Sequence, residues 1–147
     1  MKKILVILFV FMLSACSSAT SSKQTVCSYA IDESSAMVEK INYDSDNNIT
    51  SIDYEETYTL EELGITDDNK EESMQQLKEY FEYLAEYYGE GYSYSVSEDG
   101  DSIVLKSSFD MSKADISTLI EDGYLFEEDL SVSGYVEEME AIGYSCE

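Results

Sequence analysis

Hydrophobic and polar positions alternate along residues 25–59 in three runs separated by turn-forming clusters. Cys27, Tyr29 and Ile31 share one face of the first run, and residues 32–35 turn the chain. Met37, Val38, Ile41 and Tyr43 mark the second run. After the cluster Asp44-Ser45-Asp46-Asn47-Asn48, the residues Ile52, Tyr54 and Tyr58 alternate with Asp53 and Glu55 in the third. Period-two alternation with one polar side predicts a three-strand antiparallel meander covered on one face. The period then lengthens. Over residues 67–88, Met74, Leu77, Tyr80, Phe81, Leu84, Ala85 and Tyr88 fall at the spacing of a single buried helical stripe. Asp68 and Glu71 have the spacing of a capping box, and Gly89 stands where a helix end takes a positive φ.

Alternation returns in Tyr92-Ser93-Tyr94-Ser95-Val96, and Asp99-Gly100 signals a hairpin to a partner strand over residues 103–109. Ser112 is placed to cap a short helix through Ile116, Leu119 and Ile120, stopped by Gly123. Ser133 is placed to cap a last helix over residues 135–142, stopped by Gly143. Strands and helices come in blocks, in the order βββ-α-ββ-α-α, which makes the chain an α+β protein. The expected architecture is an antiparallel sheet (three-strand meander plus hairpin) packed on one face by a long amphipathic helix and two shorter helices.

The first residues follow different rules. Lys2 and Lys3 precede an apolar run over residues 4–12, which closes on Leu13-Ser14-Ala15-Cys16. The run is too short for a membrane span and has the layout of an export signal. Its ending looks like a bacterial lipobox, in which the Cys sulfur is diacylglycerylated and the chain is cut just before it. Residues 1–15 are then a lipoprotein signal peptide, 16–24 the lipidated Cys16 and a flexible Ser-rich tether, and 25–147 a single α+β domain. Two acyl chains on Cys16 give stable anchoring. The expected location is the extracytoplasmic face of the bacterial cell membrane, and the membrane is the one partner implied. Once Cys16 is acylated, Cys27 and Cys146 remain, and in an exported protein two remaining cysteines are most simply a disulfide.

The chain resembles the YehR-like family, small bacterial lipoproteins of uncharacterised function. The resemblance spans about residues 16–147. It rests on the Cys16 lipobox, on Tyr54-Glu55-Glu56-Thr57 running into Leu60-Glu61-Glu62-Leu63-Gly64, and on the helical stretch 72–88. Asp110-Met111-Ser112-Lys113-Ala114-Asp115 and the terminal Ile142-Gly143-Tyr144 also fit. The family implies location and fold and supplies no catalytic residues. This chain differs from the family pattern in its acidity and in Cys27 and Cys146.

Charge narrows the chemistry. The sequence has 32 Asp+Glu against 8 Lys+Arg, a formal charge of −24, and all its cations are Lys; it has no His, Pro or Trp. Loss of Lys2 and Lys3 with the leader takes the charge to −26. Without His there is no imidazole base, no nucleophile system built on one, and no His-ligated zinc. Without Arg and with so few cations, a nucleic-acid groove is excluded. No cofactor is implied, and the expected role is non-enzymatic.

Two groups of residues carry candidate chemistry. Asp44, Asp46, Asn48 and Glu55 fall at positions of a calcium-loop pattern, supplying the hard oxygen ligands Ca²⁺ takes. Ile49 occupies the position that pattern gives to Gly, and the same residues equally suit a solvated hairpin turn. Tyr83 and Tyr87 lie off the buried stripe of the long helix, near Tyr92 and Tyr94 in sequence. They are candidates for an aromatic face that stacks on a sugar or holds a peptide, or for packing at the core's edge. The reading is thus a membrane-anchored lipoprotein, alternatively a small surface binding module for a sugar, peptide or Ca²⁺. Labelling with radioactive fatty acid tests the anchor: label is expected on the wild-type protein and lost in Cys16→Ser, and unchanged labelling would contradict it.

Overall fold

Six strands pair only with antiparallel neighbours, in the spatial order β4-β5-β3-β2-β1-β6. The protein is described by a computed structural model over residues 23–30, 36–126 and 130–147. The elements are β1 (Lys23–Ala30), β2 (Ala36–Tyr43), β3 (Ile49–Thr59), α1 (Lys70–Tyr88), a 3-10 turn (Gly89–Gly91), β4 (Tyr92–Asp99), β5 (Ser102–Asp110), α2 (Ile116–Glu121), α3 (Val132–Ala141) and β6 (Ser145–Cys146). The leader, Cys16, most of the tether, Ile31 and the first turn lie outside the described residues. Every strand and helix of the described residues falls within residues 23–147. Among the described residues no helix is long and apolar enough to cross a membrane.

Register decides which side chains are covered. Ile41 on β2 faces Ile52 on β3, which faces Phe109 on β5, which faces Tyr92 on β4. Because side chains alternate along a strand, this row and its period-two neighbours share one sheet face. Ile41, Ile52, Ile103 and Phe109 are fully buried there. The opposite face carries Lys40, Asn42, Asp53, Glu55, Lys106, Ser93 and Ser95 and faces solvent, as alternation predicts for a sheet covered once.

The helices close over the apolar face. Phe81 of α1 stacks on Tyr94 at 5.5 Å, and Tyr88 at the helix end meets the edge of Phe109 at 5.1 Å. Leu119 of α2 and Tyr135 and Met139 of α3 complete the core. Gly91 is a glycine for a steric reason: a Cβ there would lie 2.7 Å from the backbone nitrogen of Ala114. At Gly89 the helix does end on a positive φ, +70°.

Element boundaries depart from expectation where side chains compete for the same backbone groups. The long helix begins at Lys70 with Asn69 before it, and not from an Asp68 cap. Asn69 Oδ1 instead accepts from Thr66 N at 2.7 Å, and its Nδ2 donates to the Gly64 carbonyl, so the preceding turn is closed first. Asp115, not Ser112, caps α2, its carboxylate accepting from Ser117 N and Thr118 N. Ser112 donates to Asp110 in the turn before. The last helix starts at Val132, ahead of Ser133, because Val132 N bonds the Asn47 carbonyl and Leu130 receives Ile49 N. Those bonds tie the helix start to the β2–β3 hairpin. β1 takes in Lys23 and Gln24, where the sequence pattern predicts tether.

Strand β6 has no counterpart in the sequence pattern, since two residues are too few to show alternation. It runs beside β1, with Val26 and Glu147 exchanging both backbone bonds at 2.9 Å. Cys27 and Cys146 are the next pair along this ladder, where side chains come closest, and they are joined as a disulfide across 119 residues. Closing a loop of that length is worth about 5 kcal/mol in the chain-entropy model. Replacing both cysteines with Ala is expected to lower unfolding stability by about that amount in urea titration. A loss below about 1 kcal/mol would contradict the bridge's role as the staple of β6.

Candidate functional site

Between the sheet, α1 and α3 the covering layer does not close completely. A part-open cleft of about 400 Å³ remains, within the size range of small-molecule sites. Its walls are apolar, with Leu77 and Leu84 of α1 on one side and Met139 of α3 and Ile142, just after that helix, among the others. Tyr80, Phe126 and Ile142 line it and are exposed at 57%, 36% and 57%. These are three of the large hydrophobic side chains that the fold leaves in water, gathered at one cleft. The buried stripe expected on α1 is accordingly incomplete: Phe81 is buried, Met74, Leu77, Leu84, Ala85 and Tyr88 are half-buried, and Tyr80 is exposed.

The floor is polar where the sheet's pattern would put an apolar residue. Glu39 lies on the covered face between Met37 and Ile41, opposite Tyr54, and is only 5% exposed. Its carboxylate accepts from the Tyr135 hydroxyl at 2.9 Å and interacts with the Tyr144 hydroxyl. Tyr135 and Tyr54 place their hydroxyls 3.4 Å apart, and the Tyr54 hydroxyl donates to the Tyr124 carbonyl at 3.3 Å. One network thus joins β2, β3, the segment after α2, and α3. Glu56, on the same face of β3, accepts from Tyr58 at 2.7 Å and adds a second acid to the lining.

No cation of the described residues pairs with Glu39. Lys40 and Lys106 both pair with Glu55 on the open face, Lys70 with Glu98, and Lys113 with Asp110. Burial therefore dominates and raises the Glu39 pKa; the hydroxyl hydrogen bonds pull it down and the charge of Glu56 pushes it further up. Burial likewise raises the phenols of Tyr54 and Tyr135, and pushes Tyr92 and Tyr144 up to about 12. At neutral pH the phenols are hydrogen-bond donors, not bases.

The residues singled out from sequence do not converge here. Asp44 closes the β2–β3 turn, its Oδ1 accepting from the backbone nitrogens of Asp46 and Asn48, both at 2.9 Å. Those bonds lower its pKa. Glu55 pairs with Val38, six residues along β3 from Ile49, roughly 20 Å at the rise of a strand. Asp44, Asp46 and Asn48 therefore share a turn that Glu55 does not reach. Among the described residues no group of three or more His, Cys, Asp or Glu could hold a metal ion. Tyr83 and Tyr87 stack at 6.4 Å on the solvent side of α1. Tyr92 and Tyr94 lie beneath that helix, Tyr92 buried and lining the cleft. The four do not form one face.

A second depression, of about 340 Å³, lies on the open sheet face among Lys40, Asp53, Glu55, Lys106 and Ser95. Its charges satisfy one another: Glu55 holds both lysines, and Asp53 accepts from Asn42 at 2.9 Å and Ser108 at 2.6 Å. The cleft is the stronger candidate because its acid has no such countercharge. Glu39 and Glu56 had a signal in the sequence. Met37, Glu39 and Ile41 share one parity, as do Ile52, Tyr54, Glu56 and Tyr58, so each acid interrupts an apolar register.

A protein from Streptococcus pneumoniae TIGR4, known from an NMR structure, is similar in fold. The TM-score is 0.62 at 17% identity, covering 100% of this chain and 96% of that one. No family model matches the chain, and no curated protein matches it. The similarity shows the fold alone.

Linkage gives a test of the buried acid. The folded-state pKa of Glu39 is raised above its unfolded value near 4.5, so stability is fully present below that value and is lost as pH rises through the folded pKa. Glu39→Gln does not ionise. Its stability relative to wild type is expected to climb as pH rises above about 4.5 and to level off once the folded-state carboxyl has ionised; the range stays above the pI near 4.1. A difference that is flat with pH would contradict a buried, unpaired acid.

Proposed function

We propose that the chain is a lipid-anchored, extracytoplasmic binding module that presents the α1–α3 cleft to a small ligand. One observation carries this reading: an apolar cleft with exposed rings at its rim and a buried acid without a countercharge in its floor. The lipobox ending in Cys16 supports the anchor, and the resemblance to YehR-like lipoproteins agrees with it. Geometry supports it too. The tether joins at Lys23, which pairs with Tyr43, while Tyr29, paired with Met37 of the cleft lining, lies six residues further along β1, roughly 20 Å away. An anchored domain would hold the cleft toward the end of the sheet remote from the tether. The role proposed is non-enzymatic: the sequence has no His, and the cleft phenols, whose pKa values burial raises, stay protonated at neutral pH and donate hydrogen bonds instead of taking protons.

The test is titration of residues 17–147 with the neutral fluorophore phenylnaphthylamine. Saturable enhancement at one site is expected, with affinity lost at least tenfold in Ser107→Trp, which fills the cleft from the sheet side; circular dichroism checks that the variant remains folded. Absence of saturable binding, or equal binding by a folded Ser107→Trp, would overturn the reading.

A further inference from the structure

We infer that the ligand of this cleft is a small organic cation, an ammonium group carrying an apolar tail; this rests on the binding reading above and specifies its chemistry. The charge in the cleft has one sign. Glu39 and Glu56 are its ionisable acids, and the lysines placed by ion pairs in the described structure sit elsewhere, at Glu55, Glu98 and Asp110. An anionic head such as a carboxylate or phosphate would enter against two acids and a net charge of −24, with no lysine among the described lining residues to receive it. A cation would supply the countercharge that Glu39 lacks among the described residues.

Aromatic density points the same way. Tyr54, Tyr80, Tyr124, Tyr135 and Tyr144 line the same cleft as the two acids. Tyr54 and Tyr124 meet edge to face at 5.6 Å, and Phe126 lies 5.3 Å from Tyr135. The electron-rich faces of such rings attract ammonium groups, and acids beside a set of rings are the usual means of holding alkylated amines. The remaining walls, Leu77, Leu84, Leu105 and Met139, offer no polar groups and fit a hydrocarbon tail. Tyr135 has a positioning part. Its hydroxyl, fixed at 2.9 Å, holds the Glu39 carboxylate in place in the floor.

The experiment compares probes of one tail length at matched ionic strength: hexylammonium, hexyltrimethylammonium, hexanol and hexanoate, each titrated by calorimetry into residues 17–147. At least one of the two cations is expected to bind about tenfold tighter than hexanol, the order of one buried charge contact, with hexanoate weakest. In Glu39→Gln the ratio of cation to hexanol affinity should fall to about one, whatever happens to hexanol binding itself. Glu55→Gln removes one negative charge from the opposite face and should alter neither. Hexanol binding as tightly as both cations, or Glu39→Gln and Glu55→Gln costing the same, would overturn the cation inference and leave the binding module standing. Failure of every hexyl probe together with the neutral fluorophore would overturn both.

Discussion

Taking a carboxyl group out of water is among the costliest steps a small domain makes, and this fold places one beneath its helices. Glu39 occupies a position that alternation reserves for an apolar side chain, and no lysine of the described residues reaches it. Its environment must therefore supply hydrogen bonds in place of solvent. Tyr135 does so from α3, and Tyr54 and Tyr124 extend the network to β3 and the segment after α2. Buried polar networks specify one arrangement because any other leaves a donor or acceptor stranded. The docking of α3, and with it the shape of the cleft, follows from where Glu39 needs its partners.

The disulfide serves the same layer from the other side. β6 is too short to hold itself to the sheet, yet Tyr144, immediately before it, contributes to the surroundings of Glu39. Joining Cys146 to Cys27 fixes the chain end beside β1, and so fixes Tyr144 over the cleft. That covalent link replaces the packing that a two-residue strand cannot provide there.

The strands and helix stripe were legible because period two and period three-to-four leave long, redundant signatures: β3 and the β4–β5 hairpin fall where alternation put them. Helix starts were less so. Asp115 displaced Ser112 because neighbouring side chains could serve the same backbone donors, while Asn69 stands before α1 with its side chain turned back to Thr66 and Gly64. β6 left no pattern at all. The candidate site was hardest to see. Asp44, Asp46, Asn48 and the surface tyrosines drew attention as dense local clusters, whereas the cleft is assembled from residues up to 107 apart, such as Met37 and Tyr144. Its one local trace was an acid in an apolar register, at Glu39 and again at Glu56.

The central claim is that Glu39 is a buried acid without a countercharge, held by Tyr135. Its side-chain carboxyl carbon, labelled with ¹³C and assigned by its loss in Glu39→Gln, can be followed by NMR against pH in residues 17–147. The account predicts a titration above the ordinary carboxylate range, displaced further upward in Tyr135→Phe as the hydrogen bond that favours the ionised form is removed. A midpoint at or below that of the surface glutamates, unmoved by Tyr135→Phe, would contradict it.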